Sequence, residues 1–258
     1  RRLRECVKVV AVPHGCDYYD AITVGEKLAR DSRFFLEGGA KNIARRDGMG
    51  TTLLSFAEET QRIPDVYFQA VGSGTGAIAA WENARRLEAD GRFGSNKMRV
   101  YVAQNAPFTL IADSWKAGSR ELVSLSPEVG RRNAEMVLAK VLANRKPPYS
   151  LAGGLYDVLT ASNGACLTSS NDELLYSMLL FRNLEGYDLL PAACCAVSSL
   201  INAVHSGLVK KDEFIMLNCT GGGSMASMSM GYKLKEPDLI VSPDVDEDEL
   251  IREVNRLF

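Results

Sequence analysis

Histidine is nearly absent from this chain: His14 and His205 are the only two among 258 residues. None of the six cysteines (Cys6, Cys16, Cys166, Cys194, Cys195 and Cys219) stands in a C-x-x-C pair. A zinc site, which draws on clustered Cys and His ligands, is therefore not expected. No apolar run approaches the roughly 20 residues of a membrane span, and no secretory signal peptide opens the chain. Charge of neither sign prevails: 30 Lys and Arg face 32 Asp and Glu, for a net charge of -2. That balance gives no reason to expect a nucleic acid or a membrane surface as partner. Most cysteines sit in apolar runs, so they read as small reduced core residues, which points to a cytoplasmic location. Internal repeats and low-complexity linkers are missing too. What is present is a hydrophobic fraction of 46 %, enough to bury a substantial core.

Strand-like and helix-like stretches alternate. The chain opens on Arg1-Arg2-Leu3-Arg4-Glu5-Cys6, which reads as the end of a helix and suggests that sequence upstream is missing. Strands are expected over Val7–Val12, Val66–Val71, Met98–Ala103, Ala165–Ser169 and Glu213–Cys219. Helices are expected over Asp20–Asp31, Thr51–Gln61, Ala77–Glu88, Glu128–Asn144, Asn171 to about Leu184, Pro191–Ser206 and Val245–Phe258. Ser170, followed by Asn171-Asp172-Glu173, has the form of an N-cap with an acidic first turn. Residues 34–39 are a loop, and Glu185-Gly186 stops the helix before it. Alternation on this scale implies an α/β fold with a mostly parallel, buried sheet flanked by helices. His14 reads as a loop residue, and Met225, Met228 and Met230 as packing in an irregular segment.

The stretch PDVYFQAVGSGTGAIAAWENARRL, residues 64–87, carries the chemistry. A β-rich run meets Gly72-Ser73-Gly74-Thr75-Gly76, and a helix follows at once. Small residues there let backbone amides close around an anion at a helix N-terminus. A nucleotide P-loop would need Gly-Lys-Ser/Thr, which is missing. A dinucleotide fingerprint would need G-x-G-x-x-G, and here the third glycine comes one residue early. This disfavours a nicotinamide-dependent dehydrogenase. Two readings stay open: a loop for a single phosphate group, and a tight strand-to-helix turn.

The order of several motifs resembles the fold-type-II enzymes that use pyridoxal phosphate, whose fold is tryptophan synthase β-like. Val71-Gly72-Ser73-Gly74-Thr75-Gly76 is similar to that family's phosphate loop, with Thr75 where glycine is commoner. Gln104-Asn105-Ala106-Pro107 resembles the segment closing the next strand. Cys166 to Glu173 resembles a strand-to-helix step, and Glu185-Gly186 with Pro191-Ala192-Ala193 resembles E-G-x4-P-A. Leu217-Asn218-Cys219-Thr220-Gly221-Gly222 resembles the strand end where a hydroxyl meets the pyridine nitrogen. The resemblance implies pyridoxal phosphate as cofactor, with Gly72, Ser73, Gly74, Thr75, Gly76 and Thr220 binding it. A neutral hydroxyl at the ring nitrogen suits elimination and replacement chemistry. The other reading of Thr220 is a strand-end cap.

Residues 34–44, Phe34 to Ala44, resemble a threonine synthase stretch, with one extra residue and Asn42 in place of Thr. The whole pattern is most similar to the cysteate synthases, archaeal paralogues of threonine synthase. The resemblance implies replacement of phosphate in O-phospho-L-serine by sulfite, giving L-cysteate for coenzyme M biosynthesis. Its small-molecule partners are a phosphoamino acid and sulfite, and it implies a homo-oligomer. Lys41, Asn42, Arg45 and Arg46 are the candidates to hold the two anions, Arg being shaped for bidentate oxyanion contacts. Arg45 and Arg46 could equally be solvated surface charges. The family's Schiff-base lysine is expected upstream of Arg1, and Lys97 and Lys116 read as surface lysines. Residues 1–33 are then the end of a small domain and 34–258 a large cofactor-binding domain. Two rivals stay open: threonine synthase chemistry on O-phosphohomoserine, and a non-catalytic module that binds a phosphate-bearing ligand.

Overall fold

A computed structural model describes residues 7–231 and 235–258. The stretch 1–6, with its expected helix end and Cys6, lies outside the described residues. The chain divides into two compact units, residues 38–223 and residues 1–37 with 224–258.

The larger unit is built on a parallel four-stranded sheet. Its strands are β2 (Val66–Ala70), β3 (Arg99–Asn105), β4 (Ala165–Ser169) and β5 (Ile215–Leu217), in the order β4-β3-β2-β5. Each residue of β2 is buried, as a central strand covered on both faces must be. Tyr67 and Val71 face one core, shared with Leu53 and Ala57 of α2 (Ile43–Thr60), Ile78 of α3 (Thr75–Asp90) and Leu159 of α6 (Leu155–Ala161). Ala70 faces Ala193 and Cys194 of α8 (Pro191–His205), and Phe68 packs in the cluster that holds Ala203 of the same helix. Helices thus cover both faces, and the strands' carboxyl ends form one rim.

Helix α2 starts at Ile43, well before the expected Thr51, with Asn42 Oδ1 accepting the Arg45 amide at 3.1 Å. Gly48 and Gly50 look like breakers, yet both lie inside the helix. Gly50 is required by packing, because a Cβ there would overlap the Asn83 carboxamide of α3. The helix expected over Glu128–Asn144 is shorter: α5 covers Pro127–Met136 only. Two distant side chains end it. Asn171 Oδ1 accepts the Leu138 amide at 3.0 Å while its Nδ2 donates to the Met136 carbonyl at 2.8 Å. Asn105 Oδ1 accepts the Ala139 amide at 3.0 Å. Helix α4 (Leu110–Lys116) and α6 were not anticipated; the Gln104 side chain accepts the amides of Ile111 and Ala112 at the start of α4. β4 has the expected bounds, and α7 (Asn171–Glu185) ends at the left-handed Gly186 as expected. β5 is shorter than Glu213–Cys219, its approach fixed by the Asp65 carboxylate accepting the Phe214 amide at 2.8 Å.

In the smaller unit, β1 (Val10–Ala11) pairs in parallel with β6 (Leu239–Ile240), which was not anticipated. β1 is shorter than Val7–Val12 because the Asp238 carboxylate, at 2.7 Å, takes the Val9 amide that a strand partner would occupy. Helix α1 (Tyr18–Leu28) begins with a reciprocal cap between Asp17 and Asp20. Val24 of α1 packs with Leu250 and Val254 of α10 (Glu247–Asn255). His14 lies in an exposed turn. The irregular segment expected around the methionines contains a short helix, α9 (Ser224–Ser229). Met225, Met228 and Met230 are 51 %, 66 % and 71 % exposed, so they do not pack in a core.

Candidate cofactor site

The site begins where β2 runs out. The Val71 amide still donates to the Ala103 carbonyl of β3 at 2.9 Å, and three residues later the chain has turned into α3. Gly74 caps that helix with φ +82°, in the left-handed region, and offers no side chain to the amides behind it. The first bond of the helix is Ile78 N–H to the Gly74 carbonyl, at 3.0 Å. The amides of Thr75, Gly76 and Ala77 therefore have no acceptor inside the helix, although all three residues are buried. A 16-residue helix adds the positive end of its dipole. Shape closes the cradle: a Cβ on Gly72 would stand 3.3 Å from the Leu142 carbonyl oxygen, and one on Gly74 2.8 Å from Leu155. Ser73 Oγ and Thr75 Oγ1 lie 2.9 Å apart beside it. Orphan amides, a helix dipole and no room for side chains suit a dianionic phosphate.

The second half comes from the neighbouring strand. β5 pairs with β2 in the register Val66–Ile215, Tyr67–Met216 and Phe68–Leu217, and the Asn218 amide extends it to the Phe68 carbonyl at 2.9 Å. Thr220 follows two residues later, exposed, on the same rim as the glycine loop. It is held on both sides. Before it, Asn218 Nδ2 donates to the Tyr67 hydroxyl at 2.7 Å. After it, the Gly221 carbonyl accepts the Leu190 amide at 3.1 Å, and the Gly223 amide donates to the Asp188 carbonyl at 2.8 Å. The loop and Thr220, 144 positions apart between Gly76 and Thr220, are thus brought to adjacent strand ends.

Burial pushes the Tyr67 hydroxyl well above the ordinary tyrosine range, the Asn218 bond opposing it more weakly, so Tyr67 stays a neutral donor. Burial likewise raises the Cys219 thiol next to Thr220, and lifts Cys194 and Cys195 to about 12. These groups are thiols, without the depressed values of a nucleophilic cysteine. Cys166, Cys194, Cys195 and Cys219 are free of disulfides.

The candidate anion ligands gather at the start of α2. Lys41 ends a single turn of 3-10 helix, exposed; Asn42 caps α2; Arg45 lies exposed in its first turn. Arg46 is turned inward, its side chain 16 % exposed, with Nη2 3.2 Å from Glu82 of α3 and Nη1 donating to the Ala40 carbonyl at 3.4 Å. Lys97 and Lys116 are both exposed. Tyr67, Gln69 and Asn218 were missed from the sequence; nothing local marks a contact between residues about 150 positions apart.

The family model for pyridoxal-phosphate dependent enzymes matches residues 4–221, and the chain belongs to that family. Pyridoxal phosphate as cofactor and the α/β fold-type-II architecture, both expected from the motifs, are borne out. Among particular relatives, the chain is 43 % identical over 250 residues to the cysteate synthase of Methanosarcina barkeri, covering 95 % of this chain and 60 % of the relative. It is 49 % identical over 211 residues to that of Methanoculleus marisnigri, covering 80 % of this chain and 48 % of the relative. The chain therefore spans about half to three-fifths of the length of these relatives. A fungal L-serine ammonia-lyase from Rhizomucor miehei shares the fold with a TM-score of 0.54 at 15 % identity, over 72 % of this chain and 55 % of that one. Among the described residues, no helix is long and apolar enough to cross a membrane.

Proposed function

We propose that the chain is part of an enzyme that makes L-cysteate from O-phospho-L-serine and sulfite. The observation that carries this reading is the uncapped, glycine-walled N-terminus of α3 set beside the Thr220 strand end, in a chain 43 % identical to a cysteate synthase. The amides of Gly72 to Ala77 would hold the phosphate of the cofactor, and the Thr220 hydroxyl would meet its ring nitrogen. Pyridoxal phosphate supplies the electron sink for the carbanion at the substrate's α carbon. A neutral hydroxyl at Thr220, in place of a carboxylate, would suit elimination and replacement chemistry. In the net reaction the Cβ–O bond breaks and phosphate leaves with the electron pair. The sulfur of sulfite then forms the new bond to Cβ, with no change in overall oxidation state. Lys41, Asn42, Arg45 and Arg46 are the groups we assign to the substrate phosphate and sulfite, Arg46 being oriented by Glu82. The same reading gives a cytoplasmic homo-oligomer, with residues 1–33 in the small domain.

The test is turnover by the cofactor-loaded full-length protein. Phosphoserine with sulfite should yield L-cysteate and phosphate in equal amounts. Threonine from O-phosphohomoserine instead would assign it to threonine synthase chemistry. Tight cofactor binding without turnover of either substrate would leave a binding module and sink the proposed reaction.

A further inference from the structure

Gln69 is a polar side chain on a strand buried on both faces, and it is only 6 % exposed. A carboxamide placed there costs free energy unless its oxygen and its NH2 group both find partners. The oxygen does. Gln69 Oε1 accepts the Tyr67 hydroxyl at 2.5 Å and lies 3.4 Å from Asn218 Nδ2, which itself donates to the Tyr67 oxygen at 2.7 Å. With the Tyr67 oxygen taken up by Asn218, its proton goes to Gln69, and this turns Gln69 Nε2 away from the cluster. Among the described residues no acceptor meets Nε2, and it is not one of the fully enclosed unpartnered atoms, so it keeps a path to solvent. The carboxamide lies against the first turn of α3: a Cβ on Gly76 would be 2.5 Å from it. The open donor therefore sits beneath the same turn whose amides lack acceptors.

We propose that Gln69 is a binding residue of the site, its Nε2 adding a neutral side-chain donor to the backbone amides that receive the cofactor's phosphate. Tyr67 and Asn218 hold it in that orientation and are positioning residues. The inference rests on the function proposed above. It also explains the residue type: a glutamate would fit the space but would bring negative charge under an anion site, and a leucine would fill it without donating.

The experiment compares the affinity of the full-length protein for pyridoxal phosphate and for pyridoxal, which lacks the phosphate, by cofactor fluorescence. Circular dichroism verifies the fold of each variant. Wild type should prefer the phosphorylated form. Gln69→Leu should cut that preference about tenfold, and Gln69→Glu about a hundredfold, while pyridoxal affinity stays within about twofold. Tyr67→Phe, which frees Gln69 to turn, should cut it by less than Gln69→Leu. Damage to the fold alone would weaken both ligands together. Preference retained within about twofold in both Gln69 variants would overturn the role of Gln69 and leave the proposed function standing. A wild type without preference for the phosphorylated form would overturn both.

Discussion

Helices α3 and α7 both start directly after a parallel strand of the same sheet, and they treat their first amides in opposite ways. At α7, Ser170 Oγ accepts the Glu173 amide at 3.2 Å, and the Glu173 carboxylate reaches back to the Ser170 amide at 2.6 Å. Asn202 Nδ2 holds that carboxylate from its other oxygen, at 2.6 Å. The turn's first amides are met by side chains, and Ser170 and Asp172 are exposed. At α3 the cap is Gly74, the first turn is buried, and nothing in the helix receives its amides. One N-terminus is satisfied by its own side chains; the other presents amides that no acceptor within the helix meets.

Changes at the two ends should therefore separate binding from stability. Gly74→Val forces a β-branched residue into φ +82° and drives its Cβ toward Leu155. Cofactor affinity should fall at least about a hundredfold by fluorescence titration. Retained affinity would show that the α3 turn is not the anion site. Gly50→Ala acts on α3 from behind, by pushing the buried Asn83, which also donates to the Ala79 carbonyl at 2.9 Å. Thermal or urea unfolding should show a loss of about 1–3 kcal/mol, partly recovered in Gly50→Ala with Asn83→Ala. Ser170→Ala should cost about 1 kcal/mol of stability and leave cofactor affinity unchanged. Glu173→Gln sharpens the contrast through pH. Burial works to raise that carboxyl, but bonds from the Ser170 amide, Asn202 and the Ser170 hydroxyl outweigh it and hold it below the ordinary value. Its stabilisation is present above the unfolded-state value of about 4.3 and fades as pH falls through the lower folded-state value. Wild type should accordingly lose stability more steeply than Glu173→Gln between about pH 5 and 3, as melting temperatures would show.

The parts that read directly from sequence are those built from neighbouring residues. β2, the glycine loop and α3 follow from one run of 24 letters, and the Ser170–Glu173 cap from four. The misreadings share a different cause. The helix expected from Thr51 begins at Ile43 because Asn42 caps it, and the helix expected over Glu128–Asn144 looks long until Asn171 and Asn105 are seen to take the amides just past Met136. Thr220 was placed by motif order, while the cluster beneath it, Tyr67 with Gln69 and Asn218, depends on a pairing that only the finished sheet creates.

That pairing has a consequence for how the protein matures. β2 and β5 are neighbours in space but are separated by two other strands of the sheet and the helices between them in the chain. Closing that loop costs chain entropy, so the β2–β5 pairing is expected among the later contacts to form. A cofactor that binds the folded state and not the unfolded one draws the population toward the folded state by mass action.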